Sequence, residues 1–185
     1  MSDLAWHLAA THLARRPSLT IRLAAPEEFP AIGDLTHAAY TSDYTDLPTE
    51  YREQLRRPED LVEDFEVWVA EDSVTQALLG TVSVLRPGRD LDGRLGPGEL
   101  YFRLLAVHPS ARGLGIGAAL TTFAIDFARQ RGLARVVLNS GPDMLGAHAL
   151  YRKLGFERQP SREGTIVLHG RELTLFTFTR DVDAR

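Results

Sequence analysis

Between Arg112 and Ala118 the chain reads R-G-L-G-I-G-A, with glycines at 113, 115 and 117. A strand-like apolar run, residues 102–107, precedes it across the turn His108-Pro109-Ser110, and a helical pattern continues from it to Arg131. Strand, glycine-rich turn and helix start together suit an anion. The first backbone N–H groups of a helix have no internal partner, and the helix dipole adds partial positive charge there. The glycines leave the backbone bare, so a phosphate can come close. A Walker loop would require Gly-Lys-Ser/Thr, and no lysine lies here. Gly113, Gly115 and Ala118 satisfy the letters of a dinucleotide motif, but residues 108–112 separate them from the strand. The next strand ends Asn139-Ser140-Gly141, without the acid that would bind a ribose.

A third pattern spans the same residues. Arg112, Gly115, Gly117 and Ala118, with Leu105-Ala106-Val107 and Pro109 upstream, read R-x-x-G-x-G-A after L-A-V-x-P. This resembles the acyl-CoA loop of the GNAT superfamily of N-acetyltransferases. A second run, A-H-A-L-Y-R-K-L-G-F over residues 147–156, resembles that family's A-x-x-L-Y-x-x-x-G-F segment. The resemblance covers about residues 19–180, and the two motifs stand in the family's order.

The resemblance implies transfer of an acetyl group from acetyl-CoA, as co-substrate, to a primary amine on a small molecule or peptide. Arg112, Gly113, Leu114, Gly115, Ile116, Gly117 and Ala118 would hold the pyrophosphate, and Leu105, Ala106 and Val107 would align the pantetheine arm like an added strand. Tyr151 would stand beside the thioester sulfur and give a proton to the leaving thiolate. The chain departs from the family twice. Met144 stands where many members carry a cofactor-binding asparagine, and Tyr101 where many carry a carboxylate. Glu99, two residues earlier and on the same face by strand alternation, is the expected base, directly or through water. Two other functions use part of the same pattern: a non-catalytic acyl-CoA sensor of the same fold, and a nucleotide-linked oxidoreductase.

The elements that must position these groups follow from periodicity. Residues 1–18, with Leu4, Leu8 and Leu13 at helical spacing, form an N-terminal extension expected to be helical, and residues 19–185 are the N-acetyltransferase domain that the resemblance implies. Residues 19–23 alternate as a strand, and residues 28–40 carry Ile32, Leu35 and Ala39 on one helical face. A tyrosine-rich stretch with Tyr40, Asp43, Tyr44 and Tyr51 reads as packing, or as a substrate lid. Strands are expected at 66–71, 78–85, 99–107 and 135–139, with a helix over 118–131 capped by Gly132. Alternation along the fourth strand puts Glu99, Tyr101, Arg103, Leu105 and Val107 on one face. Asp143 is expected to cap a helix that carries Tyr151, and strands at 165–168 and 172–179 close the chain. The expected fold is α/β: a GNAT-like mixed, mostly antiparallel sheet of six or seven strands flanked by helices. The resemblance implies that the fourth and fifth strands splay into a V.

Composition narrows the function classes. A chain of 185 residues with 44% hydrophobic content can bury a sizeable core in one domain. The net charge of −4 gives no footprint for nucleic acid and is compatible with a cationic amine. With no cysteine there is no thiolate metal site and no covalent cysteine intermediate, so direct attack in a ternary complex is favoured. Six scattered histidines show no metal-ligand spacing, and no metal is expected. No apolar run has membrane-spanning length, and a cytoplasmic location and possible homodimer, pairing through the terminal strands, are expected.

Overall fold

The β-branched and aromatic runs of the sequence become strands whose alternate side chains enter one of two layers. A computed structural model describes residues 17–44, 47–91, 93–168 and 170–183. The helix expected over residues 1–18 lies outside the described residues as far as residue 16. Eight strands form: β1 Leu19–Leu23, β2 Phe65–Asp72, β3 Leu78–Leu85, β4 Glu99–Val107, β5 Arg135–Ser140, β6 Glu157–Arg158, β7 Gly164–Leu168 and β8 Arg171–Asp181. Their order is β1-β2-β3-β4-β5-β8-β6, with β7 paired to the first half of β8. All neighbours are antiparallel except β4 and β5. The expected six or seven strands become eight because two residues after Phe156, too few to leave a periodic signal, pair with β8.

Among the described residues four α-helices cover the sheet: α1 Phe29–Asp43, α2 Thr49–Gln54, α3 Ile116–Gln130 and α4 Leu145–Lys153. On one face, Leu120, Ala124, Ile125 and Ala128 of α3 and Tyr151 of α4 pack against Val82, Val84, Leu100, Phe102, Val136 and Leu138. On the other, Ile32, Leu35 and Ala39 of α1, at the expected helical spacing, meet Val67, Val69 and Ala106. Gly132 ends α3 at φ +68, with Leu133 N–H donating to the Ala128 carbonyl. Asp143 does not cap α4. The position before that helix is Met144, and no side chain bonds to its first N–H groups. No helix among the described residues is long and apolar enough to cross a membrane.

Candidate active site

The site begins where two parallel strands part. β4 and β5 pair only from Glu99↔Arg135 to Phe102↔Leu138. β4 then continues beside β3 to Val107, while β5 stays with β8 to Ser140. The cause is a bulge. The β3–β4 register slips between Thr81 and Ser83, and Leu104 stands at φ +51. A non-glycine residue there costs about 1–3 kcal/mol and bends the strand. The splay leaves the inner edge of β4 without a strand partner over residues 103–107.

The bulge also corrects the single-face expectation for β4. Before it, Leu100 and Phe102 face the α3 layer, while Tyr101 packs with Phe65 and Leu85 and Arg103 lies over the Phe65 ring. After it, Leu105 and Val107 join the α3 layer, and Ala106 meets Leu35 and Ala39 of α1. The inserted residue inverts the alternation, so Leu105 and Val107 do not share a face with Tyr101 and Arg103.

The mouth of the splay is an open cavity of about 950 Å³. Its walls are β4 from Phe102 to Val107, the glycine loop, the end of β5, the start of α4 with Leu150 and Tyr151, and the end of α1 with Tyr40 and Tyr44. At the loop, Gly113 and Gly115 have φ of +75 and +86, which other residues adopt only with strain. Gly115 caps α3, and the first helical bond runs from Ala119 N–H to the Gly115 carbonyl at 2.9 Å. The N–H groups of residues 113–118 find no acceptor among the described residues. Gly117 has a further reason to lack a side chain: a Cβ there would lie 3.2 Å from Leu150 Cδ2. A row of free donors at a helix start, open to a cavity, fits a diphosphate.

Tyr151 stands across the cavity. Its ring is 5% exposed, wedged against Phe102, Phe156 and Phe178 with centroids 5.7–6.4 Å away. Its hydroxyl bonds to no group among the described residues, and it is not sealed into the core. Burial drives the phenol pKa up, so it stays protonated and is a donor. Tyr40 and Tyr51 are raised in the same way, Tyr44 less enclosed but in the same direction. Tyr40 packs edge-on with both, at 6.0 Å from Tyr44 and 6.5 Å from Tyr51. The phenols of Tyr40, Tyr44 and Tyr151 that line the cavity are therefore neutral.

Glu99 does not join this site. It sits at the paired end of β4, outside the cavity lining. Arg162 Nη1 and Nη2 donate to its two oxygens at 2.7 and 2.8 Å, and Gly96 N–H donates at 2.8 Å. Arg162 first, helped by Gly96 and Arg135, holds the Glu99 carboxyl below the usual range. A carboxylate so satisfied is a poor base, and the expectation that Glu99 takes the amine proton is withdrawn. Arg112 does line the cavity, but its guanidinium is shared. It donates to Asp43 Oδ1 at 2.7 Å, Ser42 Oγ at 2.7 Å and the Ala39 carbonyl at 3.0 Å, tying the loop to the end of α1. Met144 lines the rim and can donate no side-chain hydrogen bond. No group of metal-binding side chains forms among the described residues.

The residue that sequence reasoning passed over is Arg103. It is half-buried, lines the cavity, and forms no ion pair among the described residues. The available signal was a lone charge inside the apolar run Y-F-R-L-L-A-V.

Comparison with known proteins agrees with this geometry. The model of the acetyltransferase (GNAT) family matches residues 29–156. A mycothiol acetyltransferase of Cellulomonas flavigena is 41% identical over 85 residues, 44% of this chain and 24% of that protein. N-acetyltransferase 8 of Mus musculus is 40% identical over 91 residues, 49% of this chain and 38% of that protein. The chain thus spans less than two fifths of the length of either curated relative. Among solved structures, a ribosomal-protein-alanine N-acetyltransferase from Brucella melitensis superposes with TM-score 0.60 at 25% identity, over 88% of this chain and 99% of that one. A PaiA N-acetyltransferase from Thermoplasma acidophilum, solved with coenzyme A, gives TM-score 0.64 at 16% identity, over 86% and 98%. At that identity the likeness is one of fold.

Proposed function

The chain belongs to the acetyltransferase (GNAT) family, and we propose that it moves an acetyl group from acetyl-CoA to an amine by direct attack in a ternary complex. The observation that carries this is a single cavity shared by free loop amides and a buried, protonated phenol. When bound, acetyl-CoA would supply the thioester: the amine nitrogen bonds to the carbonyl carbon, the C–S bond breaks, sulfur leaves with the electron pair, and the proton that nitrogen then sheds passes to water while the thiolate takes one up.

The N–H groups of Gly113, Leu114, Gly115, Ile116, Gly117 and Ala118 hold the diphosphate, and Arg112 adds charge from the side of α1. The free edge of β4 at Leu105, Ala106 and Val107 pairs with the amide-bearing arm, as an added strand would. An N–H on that edge also polarises the carbonyl oxygen. Tyr151 donates to the sulfur as negative charge builds there.

No cavity carboxylate among the described residues is free and enclosed: Asp43 is paired with Arg112, and Asp143 is exposed at the rim. The amine therefore reacts as the neutral base, its proton having passed to water. Removing that proton from an amine of pKa near 10.4 costs about 4–5 kcal/mol at pH 7.

The test is thiol release from acetyl-CoA over an amine panel, beside calorimetry with CoA on the wild type and Ala118→Glu. Glutamate suits the first turn of α3 while setting a negative charge at the anion site. The expected result is amine-dependent release and loss of CoA binding in a folded variant. Undiminished binding in Ala118→Glu would remove the loop as the diphosphate site. Binding without release for any amine would leave an acyl-CoA sensor.

A further inference from the structure

The acceptor end of the cavity is built from donors. Arg103 extends from β4 on the face opposite Phe102, and so away from the ring that touches Tyr151. It sits over Phe65 at 5.7 Å, a ring contact that leaves all five N–H donors without a hydrogen-bond partner among the described residues. The phenol of Tyr40 likewise bonds to no group among the described residues, yet its oxygen is not sealed into the core. A half-buried guanidinium costs free energy to keep unpaired, and water alone repays it poorly beside apolar walls. Among the described residues the lining offers no free, enclosed carboxylate to hold an ammonium at this end, since Asp43 is spent on Arg112 and Asp143 lies at the rim.

We propose that the acceptor amine carries a carboxylate, as an amino acid does, and that Arg103 with the Tyr40 phenol receives it while the amine faces the splay. Arginine matches a carboxylate with two parallel hydrogen bonds, which fixes orientation as well as affinity. Proximity of the groups supports this: the charge on Arg103 acts on the Tyr40, Tyr51 and Tyr101 phenols, and Tyr40 in turn feels Tyr151. A polyamine, with cations at both ends, would meet the like charge of Arg103. The inference rests on the acetyltransferase assignment, deepening it to a substrate class.

The test compares free L-amino acids with their amides and with the matching decarboxylated amines, by thiol release from acetyl-CoA. The carboxylated members should have the highest kcat/KM. In Arg103→Gln their KM should rise roughly ten- to hundredfold, with kcat and the KM for acetyl-CoA within a few fold. The decarboxylated amines should be unaffected or improved, and Arg103→Lys should restore part of the loss. Because Arg103 makes a ring contact and no hydrogen bond or ion pair among the described residues, Arg103→Gln should unfold at the wild-type temperature. Equal or faster turnover of the decarboxylated amines overturns the inference, as does a panel on which no amino acid is acetylated. CoA binding and turnover of any amine keep the acetyltransferase assignment in those cases; loss of both removes it.

Discussion

Tyr151→Phe separates chemistry from packing. The hydroxyl bonds to no group among the described residues, and the ring contacts with Phe102, Phe156 and Phe178 survive the change. Stability should therefore move by no more than about 0.5 kcal/mol. CoA affinity should hold, since the loop amides lie across the cavity. The rate effect follows from acidity. An ordinary phenol near 10 is already a weaker acid than a thiol near 8.5, and burial raises Tyr151 further. Full proton transfer to the thiolate is thus uphill by at least about 2 kcal/mol. The phenol acts mainly as a strong hydrogen-bond donor to the developing charge, and regains a proton at once if it loses one. A hydrogen bond to a charged group contributes about 1.5–3 kcal/mol, so kcat should fall roughly ten- to 150-fold. The assay is thiol release at saturating acetyl-CoA, with thermal unfolding and CoA calorimetry on the same preparations. An unchanged kcat would refute the donor role. A fall in kcat matched by a large loss of stability would mean that the hydroxyl supports the fold instead.

Glu99→Gln should lower the melting temperature, losing about 1–3 kcal/mol as the Arg162 pair is broken, without altering the pH–rate profile; a shifted profile would restore Glu99 to the chemistry. Because the folded carboxyl has a lowered pKa, its contribution is complete above the unfolded value near 4.3 and fades as pH falls through the folded value, so acid unfolding curves should differ between the two proteins above that range and converge below it. Asp43→Asn should tighten CoA binding a few fold at low salt by freeing Arg112, and high salt should erase the gain; weaker binding would make the Asp43 contact a positioning element. With no enclosed base among the described residues, log kcat/KM should climb with slope near one up to the pKa of the acceptor amine and move with that pKa from one acceptor to another; a plateau set by a group near pH 6–7 in every case would reveal a base in the protein.

What the sequence made legible was local. The glycine loop could be read because positive φ and free helix amides arise within seven residues, and the strand cores because Val, Ile and Leu alternate or run together. Tyr151 could be read only through its likeness to a family segment. What stayed hidden depends on pairing across the chain. The bulge at Leu104 arises from register between β3 and β4, and it alone reverses which way Leu105 and Val107 point. Glu99 looked available because its partner Arg162 lies 63 residues away, and Arg112 looked free because Asp43 lies 69 residues before it. Arg103 stood in plain view, but an arginine in a strand becomes informative only once the splay gives it a cavity to face.

The most direct measurement is a crystal structure of the CoA complex. The diphosphate should lie within hydrogen-bond distance of the residue 113–118 amides, the arm along the free edge of β4, and the sulfur beside the Tyr151 hydroxyl. A nucleotide bound elsewhere on the protein, or a sulfur directed away from Tyr151, would contradict the assignment of the splay as the acetyl-transfer site.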